Sequence, residues 1–125
     1  MITGVVQQNE ARIQISITGT RGRSRQVVAV IDTGYTASLT LPPSLISALG
    51  LRWQSVGRGT LAAGSQCLFD VYEASLRWDR RTLQILVNEA DSDPLVGMEL
   101  LKGFDLSMQV KDGGRVSIKR LSKKT

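Results

Sequence analysis

The stretch Val27-Val28-Ala29-Val30-Ile31-Asp32-Thr33-Gly34 constrains the fold of this 125-residue chain more than any other. Its five apolar residues, mostly β-branched, read as a short buried strand. The strand ends on a carboxylate and Gly34 follows, so the chain turns sharply where Asp32 is presented; glycine admits backbone angles that other residues resist. An ionised Asp at the end of a buried strand is costly unless hydrogen bonds or a partner hold it. Asp-Thr-Gly by itself is also the wording of a plain β-turn opened by Asp. The rest of the chain decides between the two.

Strand signals dominate. Residues 2–6 and 11–18 form two strands across a polar turn, with Ile13, Ile15 and Ile17 alternating against Arg12, Gln14, Ser16 and Thr18. A Gly- and Arg-rich turn, 19–24, returns the chain into residues 26–31. Residues 38–41 make a further short strand, and Pro42-Pro43 opens a helix carrying Leu45, Ile46 and Leu49 that Gly50 stops. Residues 51–59, 66–76 and 82–88 read as strands, the first two joined by the small-residue segment 60–65 and the last two by a turn at 78–81. An acidic loop, 89–94, leads to Leu95-Val96-Gly97 and a short helix, 98–102, ended by Gly103. Residues 104–110 and 115–121 close the chain as a hairpin about Asp112-Gly113-Gly114. The expectation is an all-β domain with two short helices over residues 1–121, then a basic tail, 122–125. Trp53, Phe69, Tyr72 and Trp78 are expected to fill its interior.

The chain has no histidine, which excludes Ser-His and Cys-His nucleophiles and histidine zinc sites. Acid–base chemistry must then come from a carboxylate, Lys, Tyr or Cys. Cys67 is the sole cysteine, cannot form an internal disulfide, and reads as a small hydrophobe. No apolar run is long enough to span a membrane, and Met1-Ile2-Thr3-Gly4 does not open a signal peptide. A cytoplasmic protein without a membrane partner is expected. The net charge of +5 gathers at Arg21, Arg23 and Arg25 and at Lys119, Arg120, Lys123 and Lys124. These read as solvated loop and tail charges. A basic β-barrel binding single-stranded nucleic acid is a rival reading, but its aromatics would be few and scattered, and Asp32-Thr33-Gly34 would go unexplained.

Taken in order, the elements are strand, Asp-Thr-Gly, strand, helix, small-residue hairpin, long antiparallel pair, then apolar-apolar-Gly before a helix. This order resembles the retropepsin-like aspartic proteases over nearly the whole chain, from Ile13 to Ile118. Val30-Ile31-Asp32-Thr33-Gly34 matches that family's active-site strand and turn, and Leu95-Val96-Gly97-Met98 matches the strand that packs beneath the active-site loop. The wording around both motifs is closest to bacterial cellular members. The resemblance implies a single-lobe acid-protease β-barrel that works as a symmetric homodimer.

Such a protease hydrolyses peptide bonds with two carboxylates that share one proton, one taking a proton from water and the other supplying one to the scissile amide. This chain has a single Asp-Thr-Gly, and Asp91-Ser92-Asp93-Pro94 and Asp112-Gly113-Gly114 lack the preceding apolar strand. The second carboxylate is therefore expected from Asp32 of another copy, on a twofold axis. The resemblance makes Asp32, Thr33 and Gly34 catalytic, with Thr33 locking the two loops across the axis, and makes Leu95, Val96 and Gly97 their support. Tyr35, Thr36 and Ala37 would line the substrate groove, and Leu61, Ala62, Ala63, Gly64 and Ser65 would form a flap over an extended peptide or unfolded protein. No cofactor or metal is implied. The family usually places Ala or Ser directly after Asp-Thr-Gly, and Tyr35 at that position is expected to crowd the groove. That departure keeps a second possibility in view, a peptide-binding or dimerisation module of the same fold without activity.

Overall fold

In the computed structural model, which describes residues 1–60 and 63–122, ten strands join in one continuous sheet. They are β1 (Ile2–Gln7), β2 (Glu10–Thr18), β3 (Ser24–Ile31), β4 (Leu39–Leu41), β5 (Arg52–Thr60), β6 (Gln66–Trp78), β7 (Arg81–Glu89), β8 (Leu95–Val96), β9 (Phe104–Met108) and β10 (Arg115–Arg120). Helix α1 (Pro43–Leu49) follows β4, and the short α2 (Met98–Leu101) follows β8. Two hairpins turn on paired left-handed residues, Gln8-Asn9 (φ 51° and 63°) and Asp79-Arg80 (φ 47° and 69°). Turns of this hand match the right-handed twist of the strands they join.

The spatial order is β5-β6-β7-β4-β8-β3-β2-β1-β10-β9, with one more pairing, β6 to β2. β2 makes that closure possible by dividing one edge between two partners. Its first half, through Ile13, pairs with β1, and Ser16 to Thr18 pair with Arg77, Leu76 and Ser75 of β6. β2, β3, β8, β4, β7 and β6 thus form a closed ring, the barrel. β5 extends from it on one side, and β1, β10 and β9 on the other.

Inside the ring the alternation of each strand sends one row inward. Ile17, Leu39, Leu41, Leu76, Val87 and Val96 expose no surface at all. Burial of each such side chain favours the fold by about 1.5–3 kcal/mol relative to leaving it exposed. Pro43 starts α1, Ile46 and Leu49 face the core, and Gly50 ends the helix in the left-handed conformation (φ 61°, ψ 44°).

Trp53 departs from expectation. It is 54% exposed, its indole Nε1 donating to Asp70 Oδ1 at 3.0 Å, because β5 ends the sheet and pairs on one side only. Trp78 does enter the core, 2% exposed and edge-on to Phe104 with ring centres 6.1 Å apart. Phe69 and Tyr72 are half-buried. The chain start and the end of β10 are tied to the β6–β7 turn, where Asp79 accepts from the Met1 ammonium at 2.6 Å and from Arg120 at 3.2 Å. Among the described residues no helix is long and apolar enough to cross a membrane. Residues 123–125 of the basic tail lie outside the described residues.

Candidate active site

Asp32 is the first residue beyond β3, and the two-residue strand β8 holds it there. β8 runs parallel to β3 on one side, pairing Val30 with Leu95 and Ile31 with Val96, and antiparallel to β4 on the other, pairing Leu39 with Val96. The ladder continues past the end of β3, where the Asp32 amide donates to the Val96 carbonyl at 2.9 Å. The Tyr35 amide donates back to the Asp32 carbonyl at 3.1 Å, closing the turn.

The rest of the loop is held by α2. Three successive amides, those of Gly97, Met98 and Glu99, donate to the carbonyls of Ser38 (3.0 Å), Tyr35 (2.7 Å) and Ala37 (3.2 Å). The amides that open a helix have no partner within it. Here they are satisfied by a segment that, without regular structure of its own, needs donors for its carbonyls. Each side completes the other. Gly97 is buried between them: a Cβ at that position would meet the Ala37 carbonyl oxygen in hard overlap and lie 2.6 Å from Tyr35 Cδ2 and 2.8 Å from the Tyr35 carbonyl oxygen.

The carboxylate is half-exposed, and its Oδ1 accepts from the Gly34 amide at 2.9 Å. Among the described residues Oδ2 accepts no hydrogen bond. One oxygen is thus oriented, while the other is open to a water molecule or a second acid. Gly34 does not serve by adopting a positive φ, the freedom expected from the sequence. A Cβ there would come within 3.3 Å of Asp32 Oδ1, a tight contact to which the carboxylate would have to yield by a few tenths of an ångström. Thr33 is exposed beside it.

Tyr35 is half-buried, and its ring lies against Gly97. Its hydroxyl accepts from Asn88 Nδ2 at 2.9 Å and donates to the Leu39 carbonyl at 3.3 Å. Burial raises the phenol above its ordinary pKa, opposed in part by hydrogen bonds with Thr40 and Asn88. Asn88 reaches this position because β7 runs parallel to β4, which sets it beside Thr40. Sequence reading did not single it out, since 53 positions separate it from Tyr35 and no local pattern marks it.

A groove of about 500 Å³ runs from the loop onto β7, walled by Thr36, Ala37, Ser38, Ile85, Leu86 and Asn88 among others. Thr36 and Ala37 are in its wall; Asp32 and Tyr35 are not. Ala63, Gly64 and Ser65 are exposed between β5 and β6, with no hydrogen bond to the Asp32 loop among the described residues. Leu61 and Ala62, from the same expected flap, lie outside the described residues. The structure therefore gathers Asp32, Gly34, Tyr35, Ala37, Val96 and Gly97 into one hydrogen-bonded unit, to which, among the described residues, Ala63, Gly64 and Ser65 make no hydrogen bond.

No protein-family model and no curated protein matches the sequence. Solved structures do match the fold. The chain superposes on the EIAV protease, a complex with the inhibitor HBY-793, with a TM-score of 0.57 at 16% identity, over 76% of this chain and 88% of that one. It superposes on a retropepsin-like aspartic protease from Rickettsia conorii with a TM-score of 0.57 at 14% identity, over 97% of this chain and 91% of that one. By this likeness the chain, mostly strands with two short helices, has an all-β retropepsin-like fold.

Proposed function

We propose that the chain is an aspartic endopeptidase that acts as a symmetric homodimer on extended peptides or unfolded proteins. The observation that carries this reading is the Asp32 loop, where a half-exposed carboxylate is held at the end of a strand, one oxygen pinned by the Gly34 amide, on a loop braced by Val96, Gly97 and α2. Groups positioned in advance for proton transfer need no rearrangement during the reaction.

In the reaction, a water lies between Asp32 and Asp32 of a second copy. The ionised carboxylate takes a proton from the water as its oxygen attacks the scissile carbonyl carbon. The protonated carboxyl gives its proton to the carbonyl oxygen, forming a tetrahedral diol. Collapse of the diol breaks the C–N bond as the amide nitrogen takes a proton, leaving an acid and an amine. Two carboxylates this close do not both ionise readily, so the pair retains one proton and fills both roles. Thr33 holds the loops together, Thr36 and Ala37 line the bound peptide, and the segment 61–65 covers it, its backbone adding hydrogen bonds to the extended chain.

The test is cleavage of an unfolded protein from acidic to neutral pH, by wild type and by D32N at several protein concentrations. Loss of cleavage in D32N, with wild-type activity rising more steeply than linearly at low concentration, supports the paired carboxylate. A wild type that is dimeric yet cleaves nothing overturns the reading in favour of a peptide-binding module.

A further inference from the structure

We infer that the face of β5 and β6 bearing Trp53 and Tyr72 docks an extended basic segment of a partner protein. One arginine or lysine side chain lies on the two rings and faces the carboxylates of Asp70 and Glu89. This face continues the core outward. Alternation along β6 turns Leu76, Ala74 and Tyr72 toward the barrel interior, and the same row runs on to Asp70 and Leu68. Trp53, Val56 and Arg58 of β5 stand opposite Tyr72, Asp70 and Leu68. Beyond the barrel the row is open, with Trp53, Val56 and Leu68 exposed by 54%, 55% and 67%. Three large apolar side chains on one sheet face make the kind of patch that a partner covers.

The inner end of the patch is shaped for a cation. The irregularity between Trp53 and Ser55 inserts Gln54, and bulges of this sort re-aim a neighbouring side chain. Here the Trp53 indole reaches Asp70, Nε1 donating to Oδ1 at 3.0 Å. Glu89 comes up on the same side, since Val87 pairs with Tyr72 and Glu89 is the next residue of that row. Burial holds the Tyr72 phenol above its ordinary pKa, and the negative charges of Glu89 and Asp70 add to the rise. Both carboxylates thus bear on one ring. Among the described residues neither forms an ion pair, and the one cation stacked on a ring is Arg120 over Phe104. Two aromatic surfaces rimmed by unpaired carboxylates attract a cation through ring face and charge together, and a flat guanidinium suits both. In a chain of net charge +5 this local reversal of sign favours a basic partner over an acidic one.

The outer end narrows the choice of partner. Side chains two positions apart on an extended chain are about 7 Å apart and share a face. A segment that seats its cation at Trp53 and Tyr72 therefore brings its second following side chain over Val56 and Leu68, where an apolar residue fits. Arg58, at the far end, repels a second cation. The ligand is thus arginine or lysine, then any residue, then an aliphatic one. Asn88 alternates to the other side of β7, where it reaches Tyr35, so the docking face uses none of the groups that hold the Asp32 loop.

The probe is a rhodamine-labelled peptide, Gly-Ser-Arg-Ser-Leu-Ser-Gly, beside the same peptide with glutamine for arginine. Fluorescence anisotropy follows binding up to about 1 mM protein, and circular-dichroism melts report on the fold of each variant. Wild type should bind the arginine peptide about tenfold more tightly than the glutamine peptide. D70N/E89Q should abolish that preference, and W53A should reduce it about threefold. D32N should bind as wild type does, so the docking face stands whether or not the chain cleaves peptides. Equal affinity for the two peptides, binding of neither, or an undiminished preference in folded D70N/E89Q overturns the site. Self-association that D70N/E89Q abolishes, with no peptide bound, gives the face to a second copy and overturns the basic segment as its occupant.

Discussion

Between β3 and β4 the chain has no regular structure, yet its carbonyls at Tyr35, Ala37 and Ser38 are all taken by amides from residues 97–99. Between Arg52 and Trp78 it has the opposite character. There β5 and β6 form a long ladder, but among the described residues its outer half buries no side chain, and the first buried residue along β6 is Val71. Regular hydrogen bonding and fixed position are thus separate properties. The irregular loop is held from three directions, by β8, α2 and Tyr35, whereas the outer half of the hairpin is held by the pairing of β5 with β6, and only the inner part of β6 is fixed by β7 and β2. Segments with few buried contacts open most readily, and segments tied into the core open only with the whole domain. In the proposed enzyme the carboxylate belongs on the first kind of support and a substrate cover on the second.

The largest effect expected is chemical. D32N should lower cleavage by about 10³-fold or more while leaving the urea midpoint close to wild type, because it removes proton transfer without changing the shape of the side chain. Next comes G97A, which strikes the brace itself. Its Cβ meets two backbone carbonyl oxygens that are already committed to hydrogen bonds. A loss of about 2–4 kcal/mol in urea unfolding is expected.

Y35F sharpens the comparison from the side-chain direction. It leaves Asn88 Nδ2 without its partner, and should cost about 1 kcal/mol. It also has a pH signature. Burial raises the folded Tyr35 phenol above its unfolded value, so its contribution is fully present below about pH 10 and is lost as pH climbs through the raised value. Unfolding midpoints followed into that alkaline range should show a slope in wild type that is reduced in Y35F.

G57A should have the smallest effect. Its Cβ would overlap the Phe69 ring, with Cζ at 2.6 Å, so on distance alone it matches G97A. The obstacle is the end of a half-buried side chain on an edge hairpin, which can swing aside. A change below about 1 kcal/mol is expected. Equal losses for G57A and G97A would erase the distinction between the two regions.

Much of this was legible in the residues. The alternation in β2 and β7, the Pro and Gly bounds of α1, and the two motifs that meet at the site are local patterns, each readable over fewer than about ten residues. Element ends shifted by one or two positions, as with β6, which runs on to Trp78, because end residues are decided by a partner strand. The exposure of Trp53 was not legible, since period and residue type mark a strand face without saying whether a second layer covers it. The Tyr35–Asn88 hydrogen bond was hidden for the same reason. It depends on β4 and β7 being parallel neighbours, which neither segment records.

The sequence by itself determined the strand content, the presentation of Asp32 after a buried strand, and the absence of histidine chemistry, because these follow from residue type and short-range spacing. Only the tertiary structure decided that β2 divides its edge to close the barrel, that β1 and β10 pair within one chain and leave β9 at the open edge, and that Gly97 is needed for space rather than for an unusual angle. Those outcomes turn on which distant backbones lie side by side, and the hydrogen bonds that settle it use main-chain groups common to nearly every residue.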